Sequence, residues 1–190
     1  MRVMALLVIV SALSAPLGAN QANGSANGAL TCTAFAVSTG GVQTPSIATT
    51  VDIVVNRFSP DAERQRLLEA LKRGQGAMLE MLRDLPRIGY IRTPNSVGWD
   101  LHFAQVAPGE EGDRRIVIAT DRPISFWEAA NQPRTMDYPF MFIELRLDGE
   151  GEGQGHLSLA TQVIATSDGR YVQLENYEAQ PVRLNEVKCR

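Results

Sequence analysis

Histidines, cysteines and nucleophile motifs are all scarce in this chain. Its 190 residues include two histidines and two cysteines. No Gly-x-Ser-x-Gly, His-Glu-x-x-His or glycine-rich phosphate loop occurs in the sequence. Most hydrolase and metalloenzyme sites need several such groups close together. The sequence therefore predicts no catalytic residue, no resident metal and no cofactor. It favours a non-enzymatic protein over an enzyme.

An excess of basic residues is also absent. The chain carries 18 Lys and Arg against 21 Asp and Glu, which gives a formal net charge of −3, and the two signs are interspersed. Nucleic-acid binding requires a basic face, so we do not expect a nucleic-acid partner. The hydrophobic share of 44% is sufficient for the core of one domain.

Only one long apolar run occurs, and it lies at the amino terminus. Met1 and Arg2 precede an apolar stretch that ends near Leu13, and small residues follow through Ala19. This order is typical of a secretory signal peptide, and the run is shorter than the roughly 20 apolar residues of a membrane-spanning helix. We expect a signal peptide over residues 1–19, cleaved after Ala19 in preference to Ala22. We also expect export to the periplasm or outside, with no membrane association after cleavage.

The two cysteines lie near opposite ends of the remaining chain. Residues 20–30 are small and polar and predict a flexible leader, which leaves residues 31–190 as a single domain. In an oxidising compartment Cys32 and Cys189 can pair, and the long loop would stabilise the fold by about 5 kcal/mol. The alternative is that Cys189, one residue from the end, stays a free thiol.

The first half of the domain predicts two strands and a helical region. Strands are expected over residues 31–38 and 48–58, where β-branched residues alternate with polar ones. Ser59 and Pro60 are suited to a helix start, with Ser59 as the cap. Gly74 interrupts the apolar stripe that follows and Pro86 ends it, which indicates two short helices or one bent helix.

The second half changes to a period of two. Trp99, Leu101 and Phe103 are expected on one face of a single strand. Residues 148–155 are expected to form an acidic glycine-rich loop. The last strand follows Pro181 and is expected at an edge of the sheet. The predicted strands cover residues 88–93, 99–106, 114–120, 140–147, 157–164, 171–177 and 182–187. We predict an α+β domain with a mainly antiparallel, curved sheet of about 7–9 strands, one helix or helical hairpin packed on it, and a tendency to curl toward a barrel.

Five stretches of the domain resemble, in the same order, a family of uncharacterised secreted bacterial proteins. They are Val51–Leu68, Gly89–Leu101, Arg114–Ala129, Tyr138–Asp148 and Val172–Leu184. The resemblance implies an exported protein with one domain. It implies no activity and no functional residues.

The strongest candidate site is the segment that follows the strand ending at Thr120. Asp121, Arg122, Trp127 and Glu128 lie within eight residues of one another in a long connection, where a rigid sheet can present side chains. Arg122 can bind a carboxylate or phosphate, and Trp127 can stack on a ring. The plainer interpretation is a folded connection that covers the sheet edge.

Three further groups have a chemical and a plain interpretation. Asp100 and His102, two residues apart on one strand, are expected on the same face and suit acid–base chemistry or a solvated surface. An acidic hairpin tip is preferred to a calcium site for Asp148, Glu150 and Glu152, because the spacing of a calcium loop is missing. Cross-strand ion pairs are preferred to a hydrolytic carboxylate pair for Glu144, Arg146, Glu175 and Tyr177.

Two functions therefore remain open at this point. The preferred one is a non-enzymatic exported domain that binds an unknown protein or small molecule through the segment around Trp127. The alternative is an extracytoplasmic, carboxylate-based hydrolase that uses Asp121, Glu128 or the pair of Asp100 and His102. The second requires at least two of these groups to converge.

Overall fold

Alternating apolar and polar residues form most of the regular structure. The computed structural model describes residues 28–38, 47–108, 113–121, 140–160, 162–165, 172–175 and 181–190. Within these ranges the helices are α1 Asp61–Arg73 and α2 Gln75–Asp84. The strands are β1 Leu30–Ser38, β2 Ile47–Val55, β3 Gly89–Arg92, β4 Trp99–Leu101, β5 Phe103–Pro108, β6 Arg114–Thr120, β7 Phe140–Leu147, β8 Glu152–Ala160, β9 Gln162–Ala165, β10 Val172–Glu175 and β11 Val182–Cys189.

Nine of these strands form one antiparallel sheet that nearly closes on itself. Its order is β4-β3-β2-β1-β11-β8-β7-β6-β5, and β9 pairs with β10 in a separate two-stranded sheet. The two end strands, β4 and β5, are consecutive in the chain and are separated only by His102. One bent segment thus pairs with β3 through its first half and with β6 through its second half. The prediction of an α+β fold with a curved, barrel-like antiparallel sheet is confirmed.

The sheet has an apolar layer on each side. Inward-facing side chains such as Ile53, Met141 and Leu184 are fully buried in the interior of the curved sheet. On the outside, Phe140 and Phe142 pack with apolar residues of α1 and α2, among them Leu82. Both helices therefore cover one part of the outer face of β5–β8, as expected for an amphipathic helical hairpin.

The break between the helices lies where the glycine predicted it. Gly74 has a φ of 125°, a conformation that favours glycine, and it separates α1 from α2. The predicted helix cap is wrong. Ser59 makes no capping bond to α1 and instead exchanges backbone and side-chain hydrogen bonds with Ala104 of β5. The start of α1 is thereby attached to the sheet.

The prediction of one regular strand through residues 99–106 is wrong. Leu101 and Ala104 both lie in the interior, whereas Phe103 packs in the layer beneath the helices. An extra residue has therefore been inserted into the alternation at His102, as in a β-bulge. Trp99 and Leu101 keep the same side, and Phe103 is displaced to the other.

The acidic glycine-rich loop is much shorter than predicted. The turn covers residues 148–151, and β8 begins at Glu152. Glycine is a poor strand residue, but here it is required. A Cβ on Gly153 would overlap the carbonyl oxygen of Arg146, and one on Gly155 would overlap that of Glu144. Close approach of β7 and β8, rather than a loop, explains these glycines.

The last strand is central and not at an edge. β11 pairs with β1 on one side and with β8 on the other. Cys32 and Cys189 are register partners on β1 and β11, with Cα atoms 4.1 Å apart, and they form a disulfide. Backbone hydrogen bonds between Thr31 and Arg190 in both directions, each 3.0 Å, flank the bond. The first and last strands of the domain are thus joined covalently.

Reduction of the disulfide should destabilise the protein. The bond links residues 157 positions apart, and the chain-entropy estimate for such a loop is about 5 kcal/mol. We expect a reductant to lower the urea midpoint of the wild type. The corresponding loss in the free energy of unfolding should be a large part of that estimate. The matched control is the double variant Cys32→Ala/Cys189→Ala, whose midpoint should be low in either condition. An unchanged wild-type midpoint on reduction would contradict a stabilising role.

Candidate functional site

The carboxylate of Asp121 is the buried centre of a small polar cluster at the end of β6. The residue is 8% exposed, which is unusual for an aspartate. Arg83, from the last turn of α2, donates from Nε to Oδ2 of Asp121 across 2.9 Å. A buried carboxylate loses its hydration, and a charged hydrogen bond of this kind offsets the loss. The pair links the helical layer to the end of β6.

His102 brings the third element into the cluster. Its Nδ1 lies 2.9 Å from the carbonyl oxygen of Leu85, and its Nε2 lies 3.9 Å from Oδ1 of Asp121. A carbonyl only accepts hydrogen bonds, so Nδ1 carries the proton. The bulge directs the imidazole toward the end of α2 and the carboxylate. Helix, bulge and strand end therefore meet at Asp121.

This geometry suits anchoring better than acid–base catalysis. A catalytic imidazole presents one nitrogen to the substrate while the other is oriented by a partner. Here one nitrogen of His102 binds a backbone carbonyl and the other faces Asp121, and the side chain is only 17% exposed. The 3.9 Å separation is also longer than a hydrogen bond. The cluster holds the chain at the point where the candidate segment begins.

Asp100 and His102 have different partners. Asp100 forms an ion pair with Arg87 Nε at 2.9 Å, and its side chain is 54% exposed, as on a solvated face. His102 lies close to Asp121. The remaining residues of the candidate segment, Arg122, Trp127 and Glu128, lie outside the described residues.

Glu144 is the best-connected carboxylate on the open outer face. Its Oε2 accepts from Arg115 Nη2 at 3.0 Å, and its Oε1 accepts from Arg146 Nε at 3.1 Å. Partial burial raises the pKa of Glu144, but the hydrogen bonds and charges of the two arginines outweigh it and leave the pKa below its usual value. The Arg115 contact is the cross-strand ion pair of the plain interpretation, whereas Glu144 and Arg146 lie on the same strand. Glu175 lies on β10, which pairs with β9 in a separate sheet, and Tyr177 lies outside the described residues.

Asp148 organises the turn between β7 and β8. Its Oδ1 accepts from the backbone N–H groups of Glu150 and Glu152, both at 2.9 Å. The carboxylate is thus used by the turn itself, as in an Asx-turn. Within the described ranges, no group of three or more His, Cys, Asp or Glu side chains is placed to hold a metal ion.

Arg83 is the member of the cluster that sequence reasoning missed. A basic residue in the last turn of a helix is common, because it complements the helix dipole. The only available signal was its position next to Leu82 on the buried stripe, which indicates a side chain at the border of the helix–sheet interface. Its partner lies 38 residues away and could not be identified from spacing.

Comparisons with known proteins add no relative: no protein-family profile, no curated protein and no solved structure matches the chain significantly. The resemblance to secreted bacterial proteins stays a prediction. In the part of the chain that the structure describes, no helix has both the length and the apolar character needed to cross a membrane.

Asp121→Asn should destabilise the fold. The substitution removes the charge that Arg83 binds and leaves a buried amide with a poorer partner, so we expect a loss of about 1–3 kcal/mol in the free energy of unfolding. Arg83→Gln should cost less, since Arg83 is 55% exposed. A double-mutant cycle in urea measures the coupling directly. Additive effects of the two substitutions would show that the pair makes no stabilising contact.

Glu144→Gln should change how stability depends on pH. The folded-state pKa of Glu144 lies below its ordinary value of 4.5, so its charge stabilises the fold above that pH and the contribution is lost as the pH falls through the folded-state pKa. We expect the variant to be less stable than the wild type near about pH 7 and the gap to narrow near about pH 3. Glu80→Gln, at an exposed position of α2, is the control. A gap that stays constant across this range would contradict the assignment.

Proposed function

We propose that the protein is an exported, non-enzymatic binding domain that contacts a partner protein or a small ligand through the segment from Asp121 to Glu128. The observation that carries the proposal is the anchoring of Asp121. Arg83, from the helical layer, holds the first residue of the segment at 2.9 Å, and His102, at the bulge, lies 3.9 Å from it. Arg122, Trp127 and Glu128 follow at once in the sequence and provide a cation, an aromatic ring and an acid for recognition.

The packed interior supports binding outside the sheet. Small barrel-like sheets can hold a ligand only where inward side chains leave room. Here Ile91, Ile143 and Leu145, among many others, are at most 1% exposed and contact one another in a continuous core. A ligand is therefore expected at a rim or an outer face, and the end of β6 is such a rim.

The disulfide supports the proposed export. Disulfides persist in oxidising compartments and are rare in the cytosol. The fully buried Cys32 and its partner Cys189 close the sheet at its centre. A periplasmic or extracellular location suits such a bond, and it agrees with the signal peptide predicted over residues 1–19.

A carboxylate-based hydrolase is the second candidate, because two of its proposed groups do converge. Asp121 and His102 are far apart in the sequence and meet at 3.9 Å. Both nitrogens of the imidazole already face protein groups, which is why binding is preferred. Asp121→Asn distinguishes the two functions: in a hydrolase it would abolish turnover, whereas in a binding domain it would only weaken the anchoring of the segment.

The test combines a ligand screen with substitutions in the segment. Thermal-shift screening against sugars, lipids, metals and peptides should find a compound that raises the melting temperature, since a ligand selective for the native state stabilises it. Trp127→Ala and Arg122→Gln should abolish that shift without changing the melting temperature of the free protein. Arg66→Gln, at an exposed position of α1, is the control for loss of charge.

Two results would overturn the proposal. A shift that survives both Trp127→Ala and Arg122→Gln would place the ligand elsewhere. Turnover of ester or glycoside substrates that is lost in both Asp121→Asn and His102→Gln, with each variant still folded, would establish the hydrolase instead.

A further inference from the structure

Three arginines and one histidine lie together on the open outer face of the sheet, beyond the area covered by the helices. They are Arg115 on β6, Arg146 on β7, His156 on β8 and Arg183 on β11, and we call this set the cationic strip. The register places them in two adjacent rows: Arg115 is opposite Arg146, and His156 is opposite Arg183. Glu144, two residues before Arg146, is opposite His156 on the other side of β8. Directly paired residues share a face of the sheet, so all four side chains point outward.

The strip carries a positive charge on an acidic protein. Its three arginines face one carboxylate, that of Glu144, which Arg115 and Arg146 share. Like charges directly opposite, as in Arg115 and Arg146, destabilise a sheet unless a counter-ion lies between them. Glu144 neutralises only one of the two. The whole chain has a net charge of −3, so this local excess is not a consequence of composition.

Two of the arginines are accessible to a ligand. Arg146 is 64% exposed despite its contact with Glu144, and Arg183 is exposed and contacts no carboxylate among the described residues. They lie on strands separated by β8 and are offset by two residues along the strands, which places their backbones about 12 Å apart. Two guanidinium groups at this separation can contact different charged groups of one linear polymer.

An exposed aromatic ring lies next to the strip. Phe35 on β1 is 43% exposed, and it points outward two residues before Val37, the register partner of Arg183. Such diagonal neighbours across a sheet are within about 8 Å of each other. A flat apolar ring suits the face of a sugar. Along β11, the strip ends at Glu186 and at the ion pair of Lys188 with Glu152.

We propose that the cationic strip binds a linear acidic polysaccharide, with Arg146 and Arg183 pairing with successive carboxylate or sulfate groups and Phe35 contacting a sugar ring. Nucleic acid is less suited, because its dense phosphates favour a strongly basic protein. An anionic membrane is also less suited, because its broad, flat surface would contact the acidic residues that border the strip and be repelled by them. This site is independent of the segment that begins at Asp121.

The test is binding of the purified protein to polygalacturonate, measured by affinity electrophoresis and calorimetry. The wild type should bind and should lose affinity as salt is raised, because the contacts are ionic. Arg146→Gln/Arg183→Gln should weaken binding at least about tenfold. Phe35→Ala should weaken it severalfold while leaving the salt dependence unchanged.

The control has the same change in charge. Arg66→Gln/Arg73→Gln removes two exposed arginines from α1 and should leave binding intact. An equal loss in this control would mean that net charge alone attracts the polymer, and the site would be refuted. Absence of binding by the wild type, or binding only to duplex DNA or to vesicles of anionic lipid, would also overturn the proposal.

Discussion

The whole structure depends on the pairing of its first strand with its last. β1 and β11 are neighbours in the middle of the sheet order. Among the described strands, β2, β3 and β4 follow β1 toward one end, and β8, β7, β6 and β5 follow β11 toward the other. Without the ladder between β1 and β11 the sheet would open at its middle, and its two halves would be joined only through the bent segment of β4 and β5. Each half would expose part of the interior core to water, at a cost that grows with the apolar area uncovered. The disulfide of Cys32 with Cys189 reinforces this one ladder.

The local sequence pattern predicted those elements well in which alternation is regular or a single glycine breaks a helix. β6 and β7 show clean alternation and were placed at their observed bounds, and Gly74 marked the break between the helices. The bulge at His102 was not predictable from alternation, because an inserted residue leaves the composition of the strand unchanged. Glycines 153 and 155 indicated a loop, yet the reason for them is the proximity of β7, a contact between strands that no local rule contains.

The polar cluster shows the same limit for function. Asp121 and His102 could each be selected from the sequence as chemically interesting, but their proximity follows from the bulge and from the near-closure of the sheet. Arg83 arrives from a helix that packs on the outer face. Three distant parts of the chain thus meet through tertiary packing: Nδ1 of the imidazole bonds the carbonyl of Leu85, and Nε2 lies 3.9 Å from Asp121. Neither contact could be read from the spacing of these residues in the sequence.

The position of β11 has a consequence for how the chain acquires its structure. The strand is made last, yet both of its neighbours, β1 and β8, need it to complete their hydrogen bonding. Contacts between residues so far apart in sequence form slowly, because a large loop must close before they are gained. Until β11 is in place, the sheet lacks its central strand and the strands on either side cannot complete their pairing. Such late completion would suit the proposed export, in which the chain crosses a membrane before it folds.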